Sequence, residues 1–469
     1  MAGLFAIKSV DAFHADLKGG GSLKRALGAF DLVMLGIGCI IGTGIFVLTG
    51  VAAVEHAGPA VSASYALAGA VCILAALCYS EFASMIPIAG SAYSYAYATL
   101  GELVAWIIGW DLVLEYALAA SAVAVGWSGY VVDFLGRAGI HLPAAIAGSP
   151  GVVEGAVFNL PAALGLIAIT TLLVIGIRES ATTNAVIVSI KLFVVFFVIG
   201  VGSFYVDPAN WHPYMPFGFD GVVAGAATVF FAYIGFDAVT TAAEEARNPE
   251  RDMTIGIIGS LLGCTVLYLA VAVVLTGMVP LSAIDISAPV AKAFGSHGLG
   301  FAAALISAGA VAGLTSVLLV LLLGQSRVFF AMSRDGLLPP VFSAVHPRFG
   351  TPHLSTMLVG GIVAVIAGFV PLGQLAELAN IGTLFAFVVV SIGIIVLRRS
   401  EPGRRRPFRT PLVPTLPIAS VLGCLYLMSA LPMATWIRFG VWLAIGLVIY
   451  FLYGVRHSRV QQTTAAKQG

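Results

Sequence analysis

Long apolar stretches alternate along this chain with short segments that hold most of its polar residues. Stretches of roughly 18 or more apolar residues predict helices that cross a lipid bilayer. We count twelve candidate spans, whose edges are good to a few residues. They cover residues 30–54, 60–85, 102–135, 159–177, 184–205, 219–243, 254–278, 299–331, 355–370, 377–397, 413–433 and 436–454. The third and eighth are long enough to tilt or to extend beyond the bilayer.

The composition agrees with this pattern. Of 469 residues, 59% are hydrophobic and 10% are charged, and the mean hydropathy is +1.02. A soluble domain carries about 25% charged residues, so we predict an all-α integral membrane protein. The five cysteines lie in apolar runs and the eight histidines in loops or at span ends. We therefore expect no metal site, no cofactor and no enzyme active site.

The basic residues predict the orientation of the spans. With the N-terminus in the cytosol, 19 of the 23 Lys and Arg residues fall on the cytosolic side. Three, Arg137, Lys292 and Arg438, fall outside, and Lys191 lies within a span. This asymmetry favours twelve spans with both termini cytosolic. The basic run Arg398–Arg409 is interpreted as a topology determinant that contacts lipid headgroups, not nucleic acid.

Span one contains the glycine-rich stretch Gly36–Phe46. No strand precedes it, which argues against a dinucleotide-binding loop. The pair Gly38 and Gly42 could instead pack against another helix. We favour a break in the helix at Gly42-Thr43-Gly44, because glycine in a helix interior costs about 1 kcal/mol relative to alanine. A break at bilayer depth is tolerated where it lines a cavity, and its free amides and carbonyls suit a zwitterion.

Span six contains a second candidate break within Phe230–Asp237. Gly235 would permit the unwinding, and Asp237 would cap the helix that resumes, with ion coordination as the alternative. Span six is the fifth span after span one. Matching breaks in two five-helix halves are typical of transporters built from inverted repeats, whose site lies near the middle of the membrane.

Three further charged residues inside spans are candidate functional residues: Lys191, Asp111 and Glu115. Lys191 in span five is a candidate functional residue, although its side chain could also extend to the membrane surface. Asp111 and Glu115 share one face of span three. We expect Glu115 to border a substrate pocket or a proton route, with a structural hydrogen bond as the alternative.

A charged cluster follows span six, at its cytosolic end. We interpret it as a gate of salt bridges, with a solvated loop as the alternative. Its members are Glu244, Glu245, Arg247, Arg251 and Asp252.

These motifs resemble the amino acid–polyamine–organocation superfamily, and more closely the bacterial members of the cationic amino acid transporter family. The stretch Gly36–Phe46 is similar to the first helix of that family. The segments Phe230–Asp237 and Thr241–Asp252 are similar to its sixth helix and following loop. The segments Gln325–Arg327 and Ala331–Pro339 are similar to the end of its eighth helix. The resemblance extends over about residues 20–455.

The resemblance implies a LeuT-type fold with 12 transmembrane helices in a 5+5 inverted repeat, in which helices one and six are broken. The corresponding segments are a cytosolic tail (1–28), two five-helix repeats (29–205 and 206–400), two peripheral helices (401–455) and a C-terminal tail (456–469). It also implies uptake of L-amino acids through the bacterial inner membrane.

Carried over residue by residue, the resemblance implies that the amides of Thr43 and Gly44 bind the substrate carboxylate. The carbonyls of Ile40, Phe231 and Ile234 would bind its ammonium. Phe231 would also act as an aromatic gate, unless it is simply a core residue. The complete predicted substrate site is Ile40, Ile41, Gly42, Thr43, Gly44, Phe231, Ala232, Ile234, Glu115 and Leu321.

In proton-coupled relatives, a lysine in helix five resembles a replacement for bound sodium and bridges helices one and eight. Lys191 matches that position, which implies proton coupling without sodium. Span eight has no acidic residue between Phe301 and Ser333, and Leu321 makes its wall apolar. A buried unpaired cation is costly, so we expect small neutral substrates such as alanine, with arginine or lysine as the alternative.

Other classes of function are less well supported. A channel would show rings of charge or a filter-like loop. A non-transporting amino acid sensor would have the same binding residues, so it stays open. Protons and membrane lipids are the expected partners. The sequence leaves open whether a small single-span protein or a sterol also binds.

Overall fold

The computed structural model describes residues 3–8, 27–86, 91–176, 181–346 and 351–462, apart from the side chains of residues 181–184, 241 and 244. Within these residues the protein is helical throughout, and the β-structure recorded there is a single bridge between Leu27 and Ala246. The predicted N-terminal tail lies mostly outside the described residues.

Every predicted span overlaps an apolar helix. The helices are Ala29–Ile40, Val61–Met85, Glu102–Arg137, Leu160–Ile175, Ala181–Gly202, Gly218–Val229, Pro249–Met278, Gly300–Arg334, His353–Phe369, Leu372–Ser400, Thr415–Ser429 and Met433–Ile449. Spans one and six continue beyond their first helix as residues 44–57 and 230–245. Among the described residues, eight helical segments are long and apolar enough to cross a membrane, and four apolar helices are shorter. The all-helical membrane class is confirmed.

Two short helices, Ser91–Thr99 and Pro289–Ser296, lie between spans and were not predicted. Ser91–Thr99 is rich in tyrosine and packs against the helices of spans three and ten. Its polar composition does not form the apolar stretch that predicts a membrane span, although all of its residues are buried.

The long helix of span three lies at the centre of the bundle. It packs along the helix of span eight and also against that of span ten, whereas the helix of span seven packs against spans one and two. Trp110 in span three and Trp442 in span twelve stack at 4.5 Å, and each indole N–H donates to the other residue's carbonyl oxygen. Large apolar side chains such as Phe204 and Phe301 are exposed on the outside, which suits a lipid-facing surface.

The basic loop after span ten is tied to the protein. Arg398 donates two hydrogen bonds to the buried carboxylate of Glu81, and Arg406 lies 3.2 Å from the same group. Arg405 pairs with Glu250 at 2.9 Å. Much of this run therefore makes ion pairs within the protein, so the predicted contact with lipid headgroups does not account for these three arginines.

Candidate functional site

The helix of span one breaks at Ile41 and Gly42, one residue before the predicted break at Gly42-Thr43-Gly44. Its first half ends at Ile40, and Ile41 has an extended backbone with φ −72° and ψ 97°. The helix resumes at Thr43 and Gly44, with a π-helical turn over Gly44–Leu48. The amides of a first helical turn have no acceptor within their own helix, so this end can bind an anion. The hydroxyl of Thr43 is buried without a hydrogen-bond partner.

The helix of span six also breaks. Gly218–Val229 continues as a 3₁₀ turn over Phe230–Tyr233, and a second 3₁₀ segment begins at Asp237. Gly235, between the two 3₁₀ segments, has φ +119°. Residues with a Cβ rarely adopt this backbone conformation. Asp237 is the first residue of the second segment, whose N-cap is Phe236, and its carboxylate accepts hydrogen bonds from the backbone around the turn. The capping role of Asp237 stays a prediction.

The two breaks lie in direct contact. A Cβ added to Gly44 would lie 2.2 Å from the Cβ of Ala232 and 2.3 Å from its Cα, so only glycine permits this approach. The hydroxyl of Tyr268, in span seven, lies 2.7 Å from the carbonyl oxygen of Ile40 and 2.8 Å from that of Ala232. One hydroxyl thus joins the last turn before each break.

A small cavity lies at the junction. Its volume is about 20 Å³. A cavity needs about 10–15 Å³, measured in the same way, to hold a single water molecule. All of its lining residues are uncharged. They are Cys39, Ile40, Gly42, Thr43, Gly44, Ala119, Val123, Phe231, Ile234, Val317 and Leu321.

Seven residues of the predicted substrate site line this cavity. Ile41, Ala232 and Glu115 do not, although Ile41 and Ala232 lie within the two broken segments. Sequence reasoning missed Cys39, Ala119, Val123 and Val317, which are ordinary apolar residues inside spans. The available signal was helical spacing, since Ala119 and Val123 are one turn apart, as are Val317 and Leu321.

Lys191 reaches both helices that the resemblance assigned to it. Its side chain is fully buried, and its ammonium donates a hydrogen bond to the carbonyl oxygen of Gly38 at 2.7 Å. Its aliphatic stem crosses Gly313 in span eight, where an added Cβ would lie 2.9 Å from Lys191 Cγ. The side chain therefore points into the protein. It does not extend to the membrane surface, which was the alternative interpretation.

Asp111 and Glu115, in the middle of span three, face spans six and ten rather than the cavity. Asp111 is fully buried, its two carboxylate oxygens have no hydrogen-bond partner, and it packs against Gly382. Glu115 is 2% exposed, and it lies close enough to Asp237 for the two carboxyl groups to interact. Buried carboxylate oxygens without donors are costly. Both oxygens of Asp111 and one of Glu115 have none, so these groups are candidates for binding protons.

The predicted gate after span six is only partly described. The side chain of Glu244 lies outside the described residues. Glu245 is half-buried and its carbonyl accepts from the amide of Leu27, and Arg247 is exposed. The contacts thus join this loop to the start of span one through the backbone, and the salt-bridge gate stays a prediction.

A different polar network closes the same end of the bundle. Asp335, after span eight, accepts from Lys8 at 3.0 Å and from the hydroxyl of Tyr93 at 2.8 Å. Sequence reasoning could not find this contact, because Lys8 and Asp335 are far apart along the chain.

Glu102 forms a second hub in that network. It is fully buried and accepts from Tyr97, Tyr450, Ser458 and Gln461. We call this end of the bundle the terminal end, because described residues near both ends of the chain, Lys8 and Gln461, lie against it.

A second, larger cavity lies at the opposite end. It has a volume of about 250 Å³ and lies between the second half of span one, the helix of span three, the start of span ten and the loop before span four. It shares no lining residue with the small cavity. We call it the vestibule.

Taken together, long apolar helices, two broken helices in contact and an uncharged cavity at their junction define a helical membrane transporter. The amino acid permease family matches residues 27–455, and the chain belongs to that family. This confirms the superfamily that the motifs resembled, and it indicates a transporter rather than an enzyme.

Several curated relatives are similar along nearly the whole chain. A methylthioribose transporter of Bacillus subtilis is 53% identical over 98% of this chain and 99% of the relative. A branched-chain amino acid permease of the same organism is 52% identical over 98% and 99%. A vacuolar cationic amino acid transporter of Arabidopsis thaliana is 42% identical over 86% of this chain and 68% of the relative.

Proposed function

We propose that this protein is a secondary active transporter of neutral L-amino acids, particularly small ones such as alanine, that uses protons and not sodium. It would take up substrate by alternating access, with the LeuT-type arrangement of twelve spans in a bacterial inner membrane and both termini in the cytosol. The observation that carries the substrate class is the uncharged lining of the cavity at the helix breaks.

The geometry of the breaks supports recognition of a zwitterion. The first-turn amides at Thr43 and Gly44 are suited to a carboxylate. The Tyr268 hydroxyl has one proton for two carbonyl oxygens, Ile40 and Ala232. Acceptor capacity on these carbonyls therefore stays available for an ammonium group. The small volume fits a state closed around the site, which would widen when substrate enters.

The uncharged wall also weighs against cationic substrates. A guanidinium or a long ammonium side chain needs carboxylate partners when it is buried, and Glu115 and Asp111 lie outside the cavity lining. The similarity to a branched-chain amino acid permease supports the neutral class. The similarity to cationic amino acid transporters keeps arginine and lysine as the alternative.

A second candidate substrate follows from the most similar relative named above, a methylthioribose transporter with 53% identity. An apolar wall would accept a methylthio group, whereas the sugar hydroxyls would need the polar backbone at the breaks. We therefore include methylthioribose as a competitor in the test of substrate class.

Proton coupling is proposed from Lys191. Its ammonium bonds to span one and its stem lies on span eight, so gain or loss of one proton would change the contact between these helices. The buried Asp111 and Glu115 provide further groups that could carry protons.

The deciding experiment is uptake of radiolabelled L-alanine into proteoliposomes in sodium-free buffer, with and without an inward proton gradient. We expect gradient-driven accumulation that excess L-valine suppresses and excess L-arginine does not. Arginine exchange without alanine uptake would overturn the neutral class in favour of the cationic alternative. Dominant competition by methylthioribose would assign the second candidate.

Counterflow in the same proteoliposomes separates a transporter from a non-transporting sensor. Vesicles preloaded with unlabelled L-alanine should draw in labelled L-alanine transiently. Binding of L-alanine to the purified protein without counterflow would assign the sensor class and overturn transport.

A further inference from the structure

We propose that Tyr65, in the helix of span two, is a positioning residue for the carboxylate of the substrate. It acts through the first turn after the break in span one, which borders the small cavity at the helix breaks, here called the inner cavity. This positioning role rests on the proposed function and adds to it a residue outside the cavity lining.

The first turn after the break has an unusual register. Residues Gly44–Leu48 form a π-helical turn, in which the amide of Thr49 donates to the carbonyl oxygen of Gly44, five residues earlier. An α-helical turn would pair that carbonyl with the amide of Leu48 instead. A π-helical turn holds more residues than an α-helical one, so its register decides which amides of the break face the inner cavity.

Tyr65 stabilises this register from span two. Its side chain is fully buried, and its hydroxyl donates to the carbonyl oxygen of Gly44 at 2.9 Å. The hydroxyl of Thr49 lies 2.8 Å from the same tyrosine oxygen and donates to the carbonyl oxygen of Ile45 at 2.9 Å. Two hydroxyls therefore satisfy the carbonyl groups at the start of the turn, where the pairing differs from that of an α-helix.

Tyr130, in the helix of span three, binds the same turn. Its hydroxyl donates to the carbonyl oxygen of Phe46 at 2.6 Å, and the two rings pack edge to face at 6.0 Å. Carbonyl groups of a regular helix are paired within the helix, so these side-chain bonds are additional. Two spans thus fix the position of one short turn.

The backbone held in this way forms a wall of the inner cavity. Gly42, Thr43 and Gly44 line the cavity, whereas Tyr65 and Thr49 do not. The carbonyl that Tyr65 binds and one of the two amides proposed for the substrate carboxylate belong to the same residue, Gly44. Loss of the Tyr65 hydroxyl would therefore move a carboxylate donor without removing any contact with the ligand.

A neighbouring tyrosine serves the opposite end of the substrate. Tyr268 packs on Tyr65, with ring centroids 5.3 Å apart. Its hydroxyl contacts the carbonyl oxygens of Ile40 and Ala232, which are the groups proposed for the ammonium. Adjacent tyrosines thus act on different halves of the zwitterion, and a ligand that lacks one half can tell them apart.

The test compares two ligands that differ at the carboxyl group. L-Alanine and L-alaninamide both carry an ammonium group at about pH 6, but L-alaninamide lacks the carboxylate. Each competes with uptake of radiolabelled L-alanine into proteoliposomes. The ratio of the two half-inhibiting concentrations measures what the carboxylate contributes to binding. The KM and maximal rate of L-alanine uptake and the thermal unfolding of each protein are measured in parallel.

Three full-length variants are compared with the unsubstituted protein. Tyr65→Phe keeps the ring contacts and removes the hydroxyl. Thr49→Val removes the second hydroxyl, and it replaces Tyr65→Phe if that protein is not monodisperse. Tyr233→Phe is the matched control, because its ring packs on Tyr65 at 6.3 Å while its hydroxyl donates to the Tyr65 carbonyl, on the helix of span two and not at the break.

We expect Tyr65→Phe to raise the KM and the half-inhibiting concentration of L-alanine about tenfold, which corresponds to one hydrogen bond of about 1.4 kcal/mol. The half-inhibiting concentration of L-alaninamide and the maximal rate should change little, so the advantage of L-alanine over L-alaninamide shrinks. Thr49→Val should act in the same direction. Tyr233→Phe should keep the ratio of the unsubstituted protein even where its Tm falls.

An unchanged ratio in Tyr65→Phe, or an equal rise for both ligands, would overturn the positioning role, because the hydroxyl would then only stabilise the fold. If L-alaninamide does not inhibit the unsubstituted protein, the KM for L-alanine decides, and equal KM values in Tyr65→Phe and Tyr233→Phe overturn the role of Tyr65. Absence of L-alanine uptake by the unsubstituted protein refutes the proposed function itself.

Discussion

At the scale of single residues, the site depends on positions where a side chain is missing. Gly44 lets the second half of span one approach the backbone of Ala232, and Gly235 adopts a backbone conformation that the turn in span six requires. Gly42 differs from Gly44, since a Cβ there would lie 3.5 Å from the Val317 side chain, which is an ordinary van der Waals contact. These neighbouring glycines therefore form a matched pair for substitution.

We expect Gly44→Ala to abolish uptake and to destabilise the protein by about 1–3 kcal/mol, because its Cβ would overlap the Ala232 backbone. Gly42→Ala should leave stability within about 1 kcal/mol of the unsubstituted protein, since its Cβ meets ordinary contacts. Thermal unfolding of the purified proteins and uptake in proteoliposomes measure the two effects. Equal behaviour of the two variants would contradict the close contact between the broken helices.

A second prediction at this scale concerns Lys191. Lys191→Met keeps most of the stem that crosses Gly313 but removes the ammonium that bonds to Gly38. We expect accumulation driven by a proton gradient to be lost and its pH dependence to flatten, because the group proposed to gain and lose the proton is absent. Initial uptake rates at several external pH values measure this.

Lys292→Met is the control for loss of a lysine. Lys292, on the short helix Pro289–Ser296, pairs with Asp285 in the preceding loop, and both side chains are partly exposed. Replacement of Lys292 should leave the pH profile of uptake unchanged. If the pH profile of Lys191→Met also matches that of the unsubstituted protein, proton coupling does not depend on Lys191.

The sequence predicted the residues that break the helices and missed those that only fill space. Thr43 was predicted because it lies in a glycine-rich stretch, and Phe231 because its motif resembles the sixth helix of the transporter family. Val123 and Val317 were missed, because an apolar residue in an apolar span carries no sign of the face it occupies. That information comes from how the helix of span three rotates against its neighbours.

At the scale of elements, each break is stabilised by a partner from another span. Tyr268 in span seven contacts the carbonyl before the first break and the carbonyl at the second. The spans themselves were predictable from hydrophobicity, and their observed ends differ from the predicted ones by a few residues. The short helix Ser91–Thr99 was not predictable from hydrophobicity, since its burial depends on tertiary contacts.

We expect Tyr268→Phe to destabilise the protein by about 1–3 kcal/mol, because two buried carbonyl groups lose their donor. Its apparent affinity for substrate should also change, since Ile40 lines the inner cavity. Tyr233→Phe is the matched control, because its hydroxyl donates to the Tyr65 carbonyl away from that lining. Tyr233→Phe should lose stability with little change in apparent affinity. The same change in affinity in both variants would argue against a direct role of Tyr268 at the breaks.

At the scale of the whole molecule, the two ends of the bundle differ. The vestibule is a cavity of about 250 Å³, whereas Asp335 and Glu102 hold chain segments from both termini across the terminal end. This asymmetry is what alternating access requires of a state closed on one side. It could not be predicted from the sequence, because Lys8 and Gln461 meet the bundle only through contacts distant along the chain.

Asp335→Asn should shift the protein towards a state open at the terminal end. The substitution removes the ion pair with Lys8, whose two side chains are about one-tenth exposed, and loss of a charged hydrogen bond of about 1.5–3 kcal/mol favours opening at least tenfold. Ser94→Cys reports the opening, since Ser94 is 3% exposed and lies on the short helix that carries Tyr93. We expect faster labelling of this thiol by a reagent supplied from the terminal end.

Arg405→Ala is the control, because Arg405 forms an exposed pair with Glu250, and such pairs contribute about 0–1 kcal/mol. The measurement at the vestibule decides the meaning of the result. Gln374 is exposed and lines the vestibule, so labelling of Gln374→Cys reports access at that end. If the ends open alternately, Asp335→Asn should slow labelling of Gln374→Cys while it speeds labelling of Ser94→Cys. Faster labelling at both ends would mean that the substitution merely loosens the fold, and unchanged labelling at both would mean that the Lys8–Asp335 pair does not hold the terminal end closed.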